Sequence, residues 1–190
     1  MDDLLKEIRE QSKENYAMLI KVLPFDIAEE LCREIKDFPQ IHCCVVSIDD
    51  APFNTTDIHE GGSVKKIFRM FFADIDSCDA PYLMKYAAKQ EDFHGLKNFI
   101  DEIKNNCNLL IVHCAAGISR SPAVASAIEE YLGFPDSIWK SGSYHPNRHV
   151  YKLSLQEFGI PKTEEEIDQK YAILQRCYKK NKEDILNYPG

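Results

Sequence analysis

Between Asn108 and Ile128 the chain passes from an apolar stretch, Asn108 to Val112, through His113-Cys114-Ala115-Ala116-Gly117-Ile118-Ser119-Arg120-Ser121, into the helix-forming Pro122-Ala-Val-Ala-Ser-Ala-Ile. A strand, a tight turn and a helix in that order make a cradle for an anion. The first N–H groups of a helix have no partner within it, and its N-terminus carries the positive end of the dipole, so such a turn gathers donors around a phosphate group. The same field favours the ionised form of Cys114, and the thiolate, not the thiol, is the nucleophile. Arg120, six positions after the cysteine, adds a planar fork that can hold two phosphoryl oxygens and gains strength as negative charge spreads over them.

The run His-Cys-(x5)-Arg-Ser, here HCAAGISRS, resembles the signature loop of the cysteine-based protein tyrosine phosphatases, and its AGISRS ending is most similar to their compact dual-specificity branch and its bacterial-type relatives. The resemblance implies a protein tyrosine phosphatase-like α/β fold, with a central, mostly parallel sheet of four to five strands and helices on both faces. It implies in-line attack of Cys114 on phosphorus to form a phosphocysteine, with Ala115, Ala116, Gly117, Ile118, Ser119 and Arg120 holding the phosphate. Ser121 resembles the family's hydroxyl that hydrogen-bonds the departing thiolate. His113 is expected to orient the loop and not to touch substrate.

An ester oxygen leaves poorly as an anion, so the chemistry also needs a proton donor, a role that contributes about 10²- to 10⁴-fold in rate. The family places an aspartate on the loop after the preceding strand, and this aspartate, once ionised, activates a water to hydrolyse the intermediate. Asp74, Asp76 and Asp79 all lie there. Asp74 is preferred because Phe72-Ala73-Asp74 resembles the family's aromatic-x-Asp arrangement, and Asp76 and Asp79 stay open as alternatives. The spacing from Asp74 to Cys114 exceeds that of the most compact members, with the surplus around Tyr86 to Asp92. His145-Pro146-Asn147-Arg148 is also similar to a segment after the signature loop in bacterial relatives, with Arg148 read as structural or solvent-facing. The similarity spans Met18 to Ile160 and is tight only around Cys114.

The rest of the chain alternates strands with helices, the pattern of a largely parallel sheet covered on both sides, whose ligands bind beyond the carboxyl ends of the strands. Met1 to Asn15 reads as an amphipathic helical appendage with Leu4, Leu5 and Ile8 on one side. Met18 to Leu23 is a strand ending at Pro24, and Asp26 an N-cap for a helix over Ile27 to Lys36 that Pro39 stops. Ile41 to Ile48 is a continuous apolar run, the pattern of a strand buried on both faces. Its Cys43 and Cys44 are read as core residues, with a redox role as the lesser alternative. Asp49 to Val64 has loop composition and borders the pocket, and Lys65 to Ala73 resumes a strand too apolar to be exposed. A helix carries Phe93, Leu96, Ile100 and Ile103. Further helices are expected over Pro122 to Leu132, around Ser137 to Ser141, over Asn147 to Phe158 and over Thr163 to Ile185. In the last, Thr163 and Glu166 form a capping box and Ile167, Tyr171, Leu174 and Tyr178 one apolar stripe.

These 190 residues, 44% of them apolar and without repeat or linker, read as a single phosphatase domain over residues 1–190. No run is long and apolar enough to be a membrane span and no signal-peptide pattern begins the chain, so it is placed in the cytoplasm. Seven unevenly spaced cysteines agree with reduced thiols, and no zinc-type spacing suggests a metal or cofactor. A net charge of −8 argues against nucleic acid or an anionic membrane as partner. The partner expected is a phosphorylated protein or peptide, met by a monomer. Ala115, Ala116, Ile118 and Ser119 include no lysine, which a phosphoinositide would favour, so a singly phosphorylated residue is preferred, phosphotyrosine before phosphoserine or phosphothreonine. Two alternatives remain: a non-catalytic phospho-residue binding module, and a phosphatase for a non-protein phosphoester such as a phosphoinositide. A sulfurtransferase or arsenate reductase also uses a cysteine in an anion-binding loop, yet neither explains Ser121 together with the upstream acidic loop.

Overall fold

A computed structural model of the chain describes residues 6, 8, 18–50, 57–76, 79 and 81–186, with side chains to residue 178. Of the expected N-terminal helix only Lys6 and Ile8 fall within it; both are helical, and Ile8 is buried in the core. The rest of Met1 to Asn15 lies outside the described residues.

Four strands, β1 (Leu19–Pro24), β2 (Cys43–Asp49), β3 (Val64–Phe71) and β4 (Leu109–Cys114), pair in the order β1-β4-β2-β3, all parallel. The helices are α1 (Phe25–Glu34), α2 (Leu96–Ile103), α3 (Arg120–Leu132), α4 (Ser137–Ser141), α5 (Arg148–Phe158) and α6 (Glu164–Leu186). Because successive side chains on a strand point to opposite faces, the central strands feed two cores at once. Leu109 and Ile111 of β4, with Cys43 and Val45 of β2, pack on Ala28, Leu31 and Ile35 beside α1. Leu110 and Val112, with Val46 and Ile48, pack on the other side against Leu96 and Ile100 of α2, Val124 and Ile128 of α3 and Tyr151 of α5. The fold is therefore an α/β sheet covered on both faces. Leu109, Leu110, Ile111 and Val112 are all fully buried, and each such side chain stabilises the fold by about 1.5–3 kcal/mol. Parallel pairing brings Pro24, Asp49, Phe71 and Cys114 to one edge of the sheet.

Several local expectations shift. α1 starts at Phe25 behind an extended Pro24, so Asp26 sits inside the first turn, where its carboxylate accepts from the Ile27 N–H at 2.9 Å instead of capping from outside. β3 pairs only with β2, and an edge strand has one uncovered flank; its Phe71 is 42% exposed despite the apolar run. Phe93 ends a short 3₁₀ turn (Gln90–Phe93), and Gly95, with φ of 90°, breaks the chain before α2 begins. α3 starts at Arg120, two residues before Pro122. The capping box forms: Glu166 accepts from the Thr163 N–H at 2.7 Å and the Thr163 hydroxyl from the Glu166 N–H at 3.2 Å. The stripe on α6 buries Ile167 and Leu174, but Tyr178 is exposed. No helix among the described residues is long and apolar enough to cross a membrane.

Candidate active site

β4 delivers His113 and Cys114 to the carboxyl edge, and the chain turns there through Ala115 to Ser119 into α3. The turn is held from outside. The Ala115 carbonyl accepts from the Phe25 N–H at 3.3 Å, that of Ile118 from His145 at 2.8 Å, and that of Ser119 from Asn147 at 3.0 Å. In a trans peptide the following N–H points opposite to the carbonyl, so the N–H groups of Ala116, Ser119 and Arg120 turn inward. Ser119 precedes α3 without capping it by its side chain, which leaves the first helical N–H groups open to an anion. Cys114 is 2% exposed, and its Sγ lies 3.1 Å from the Oγ of Ser121, also buried. Ala115, Ala116 and Ile118 form the exposed rim.

Gly117 adopts a φ of 69°, and a Cβ there would lie 2.6 Å from the Leu23 carbonyl carbon and the Pro24 nitrogen. Both conditions call for glycine. Gly117→Ala is expected to lose at least about 1–2 kcal/mol of stability from the left-handed backbone alone, and phosphate turnover with it, as the turn is pushed off β1. Denaturant midpoints and phosphate release measured on one preparation check this, and an unchanged midpoint would count against the close approach.

The three aspartates after β3 are placed differently. The exposed Asp74 reaches the loop: its Oδ1 accepts from the Ser119 hydroxyl at 2.8 Å and from Nδ2 of Asn147 at 2.9 Å. Asp76 is docked by both oxygens onto the N-terminus of α5, accepting from the N–H groups of Arg148 at 2.9 Å and His149 at 3.1 Å. Asp79 accepts from the Asp76 N–H at 2.8 Å and serves its own turn. Arg148 points away from the loop, paired with Glu164 at 2.8 Å and Asp168 at 2.5 Å, in keeping with the structural reading.

Arg120 is buried under the loop. Its Nη1 donates to Asp50 at 2.6 Å and to the Phe72 carbonyl at 2.8 Å, and its Nη2 lies 3.4 Å from Asp50. Its Nε has no partner among the described residues. The fork is thus braced through Nη1, which leaves the Nε edge for a bidentate grip. Asp50 escaped the sequence reading; its only signal was a place just beyond the carboxyl end of a buried strand. Asn147 escaped as a site residue too, although its segment was noticed.

His113 is fully buried beside Ser47 of β2 and Leu23 of β1, and neither ring nitrogen has a hydrogen-bond partner among the described residues. Burial, then the charges of Arg69 and Arg120, push its pKa down to about 4, so the ring is neutral at physiological pH. Cys43 and Cys44 are buried in the two cores, and burial pushes the Cys43 thiol well up. Cys43 is in register with Leu109, at the far end of β4. That distance of about 16 Å along a strand exceeds the separation a disulfide can span. Cys107, which precedes β4, lies at the same remote end. Cys78, which the sequence leaves open beside Cys43 and Cys107 as a disulfide partner for Cys114, lies outside the described residues.

No family model and no curated protein sequence matches the chain. Among solved structures it is similar to the human tyrosine phosphatase-like serine/threonine/tyrosine-interacting protein, with 18% identity over 74% of this chain and 91% of that one at a TM-score of 0.51. DUSP15 is 19% identical over 87% and 94% of the two chains at a TM-score of 0.48. PTPMT1, solved in complex with PI(5)P, is 12% identical over 76% and 92% at 0.49. The first likeness defines the fold as protein tyrosine phosphatase-like.

Proposed function

We propose that this chain is a cysteine-dependent phosphatase of the dual-specificity type, whose first substrate is phosphotyrosine in a protein. The observation that carries the reading is the meeting on one turn of a buried cysteine, an arginine braced with its Nε edge free, and an aspartate carboxylate bonded to the turn's own Ser119. In this reading the phosphoryl oxygens take the inward N–H groups and the Arg120 fork, and the Cys114 thiolate attacks phosphorus opposite the leaving oxygen. The ester bond breaks as Asp74 passes its proton to that oxygen, and the product alcohol departs. Asp74, now a carboxylate, takes a proton from water as that water attacks the phosphocysteine. Phosphate leaves, and the thiolate returns to the hydroxyl of Ser121. Nothing in these steps calls for a metal. The lysine-free positions Ala115, Ala116, Ile118 and Ser119 favour a monophosphorylated residue over a phosphoinositide.

The test is phosphate release from matched phosphotyrosine, phosphoserine and phosphothreonine peptides and a phosphoinositide, without added metal. Asp74→Ala is expected to lower turnover of the phosphotyrosine peptide by about 10²- to 10⁴-fold. An unchanged rate would remove Asp74 from the mechanism, and faster release from the lipid would move the substrate class.

A further inference from the structure

We propose that Asn147 is a positioning residue for the proton transfer, holding Asp74 so that Oδ2, and not Oδ1, carries the mobile proton. The inference rests on the reading of Asp74 as general acid and adds to it the device that aims the carboxyl.

An asparagine side chain can face either way, and here the helix decides which. Asn147 is the N-cap of α5, and its Oδ1 accepts from the Val150 N–H at 3.0 Å. With the oxygen committed to the helix, Nδ2 must point the other way. It donates to Asp74 Oδ1 at 2.9 Å and to the Ile75 carbonyl at 3.2 Å. The residue is 2% exposed, and its own N–H donates to the Ser119 carbonyl at 3.0 Å. One buried amide therefore ties together α5, the Cys114 turn and the Asp74 segment.

The second donor on Asp74 Oδ1 is the Ser119 hydroxyl at 2.8 Å. An oxygen that accepts two hydrogen bonds cannot also carry a proton without turning it toward one of those donors. The proton therefore resides on Oδ2. An unrestrained aspartate rotates about its last torsion and exchanges its two oxygens, so pinning one of them fixes which oxygen is left to carry the proton. Asp76 supports the same geometry two residues further on, anchored by both oxygens to the first N–H groups of α5.

Replacement tests this without breaking the cap. Asn147→Ser keeps a good N-cap residue but loses the reach to Asp74, and Asn147→Asp keeps the cap acceptor while setting a carboxylate against Asp74. The readout is turnover of two substrates: phosphotyrosine, whose phenolate needs a proton to leave, and dinitrophenyl phosphate, whose phenolate does not. Both variants are expected to lower kcat/KM on phosphotyrosine by about 10-fold or more, part of what a full general acid contributes. On dinitrophenyl phosphate kcat/KM, which reads only the steps up to departure of the phenolate, should hold within about 2-fold, whereas kcat on either substrate also carries the second step, in which Asp74 takes the proton from water. Equal losses of kcat/KM on the two substrates would reduce Asn147 to a structural cap and overturn the proposal, as would an undiminished kcat/KM on phosphotyrosine. Asp74→Ala, run alongside, separates the two levels. If it shows no such dependence on the leaving group, the general-acid reading itself fails; if it does and the Asn147 variants do not, only the positioning role fails.

Discussion

A Cys114→Ser protein is expected to release phosphate at less than about a thousandth of the wild-type rate while still binding phosphotyrosine peptide. The hydroxyl is smaller than the thiol, fits the same buried space beside Ser121, and leaves the turn's N–H groups in place. What it cannot do is ionise near neutral pH. Binding without turnover in the variant, against turnover in the wild type, assigns the nucleophile. Full activity in the variant would falsify the cysteine mechanism. A wild type that binds phosphopeptide and hydrolyses nothing would instead make the protein a phospho-residue binding module.

Arg120→Lys is expected to cost about 10²- to 10³-fold in kcat/KM, because lysine keeps the charge and loses the planar fork. Stability should suffer less than activity. Removing one partner of a fully buried ion pair costs about 3–5 kcal/mol, but the Asp50 side chain is 44% exposed and can be rehydrated. The loss should therefore appear in phosphate binding and turnover, with a thermal midpoint close to that of the wild type. A midpoint that collapses together with activity would mean that Arg120 serves the fold first. Both substitutions are read by steady-state phosphate release and thermal unfolding on the same preparations.

Much of this architecture was legible in the amino-acid order because it rests on short-range physics. Six of the eight residues in the apolar run Ile41–Ile48 lie in a strand buried on both faces, though that strand starts at Cys43, leaves His42 exposed and takes in Asp49 from the expected loop. Thr163 and Glu166, three residues apart, could be paired from spacing alone. The errors fell where tertiary context overrode local preference. Asp26 is a good capping residue displaced by a helix that begins one residue earlier behind Pro24. Phe71 reads as core and lies on the open flank of an edge strand, which no periodicity could reveal.

The candidate site divides the same way. Cys114, Gly117, Ser119, Arg120 and Ser121 are neighbours along the chain, so a strand feeding a helix through one tight turn already brings them together. Among Asp74, Asp76 and Asp79 the sequence preferred Asp74 only on a resemblance, because three nearby aspartates look alike to any local rule. Docking on α5 separates them: both Asp76 oxygens go to the helix N-terminus, Asp79 serves its own turn, and Asp74 reaches Ser119. Asp50 and Arg120 lie 70 residues apart, and Asn147 and Asp74 lie 73 apart. Sequence by itself determined the turn that gathers the donors and the sheet that presents it. Only the tertiary structure decided which distant carboxylate braces the arginine and which amide bonds Asp74, because those pairings depend on strand order and helix docking, and neither is written in the chemistry of adjacent residues.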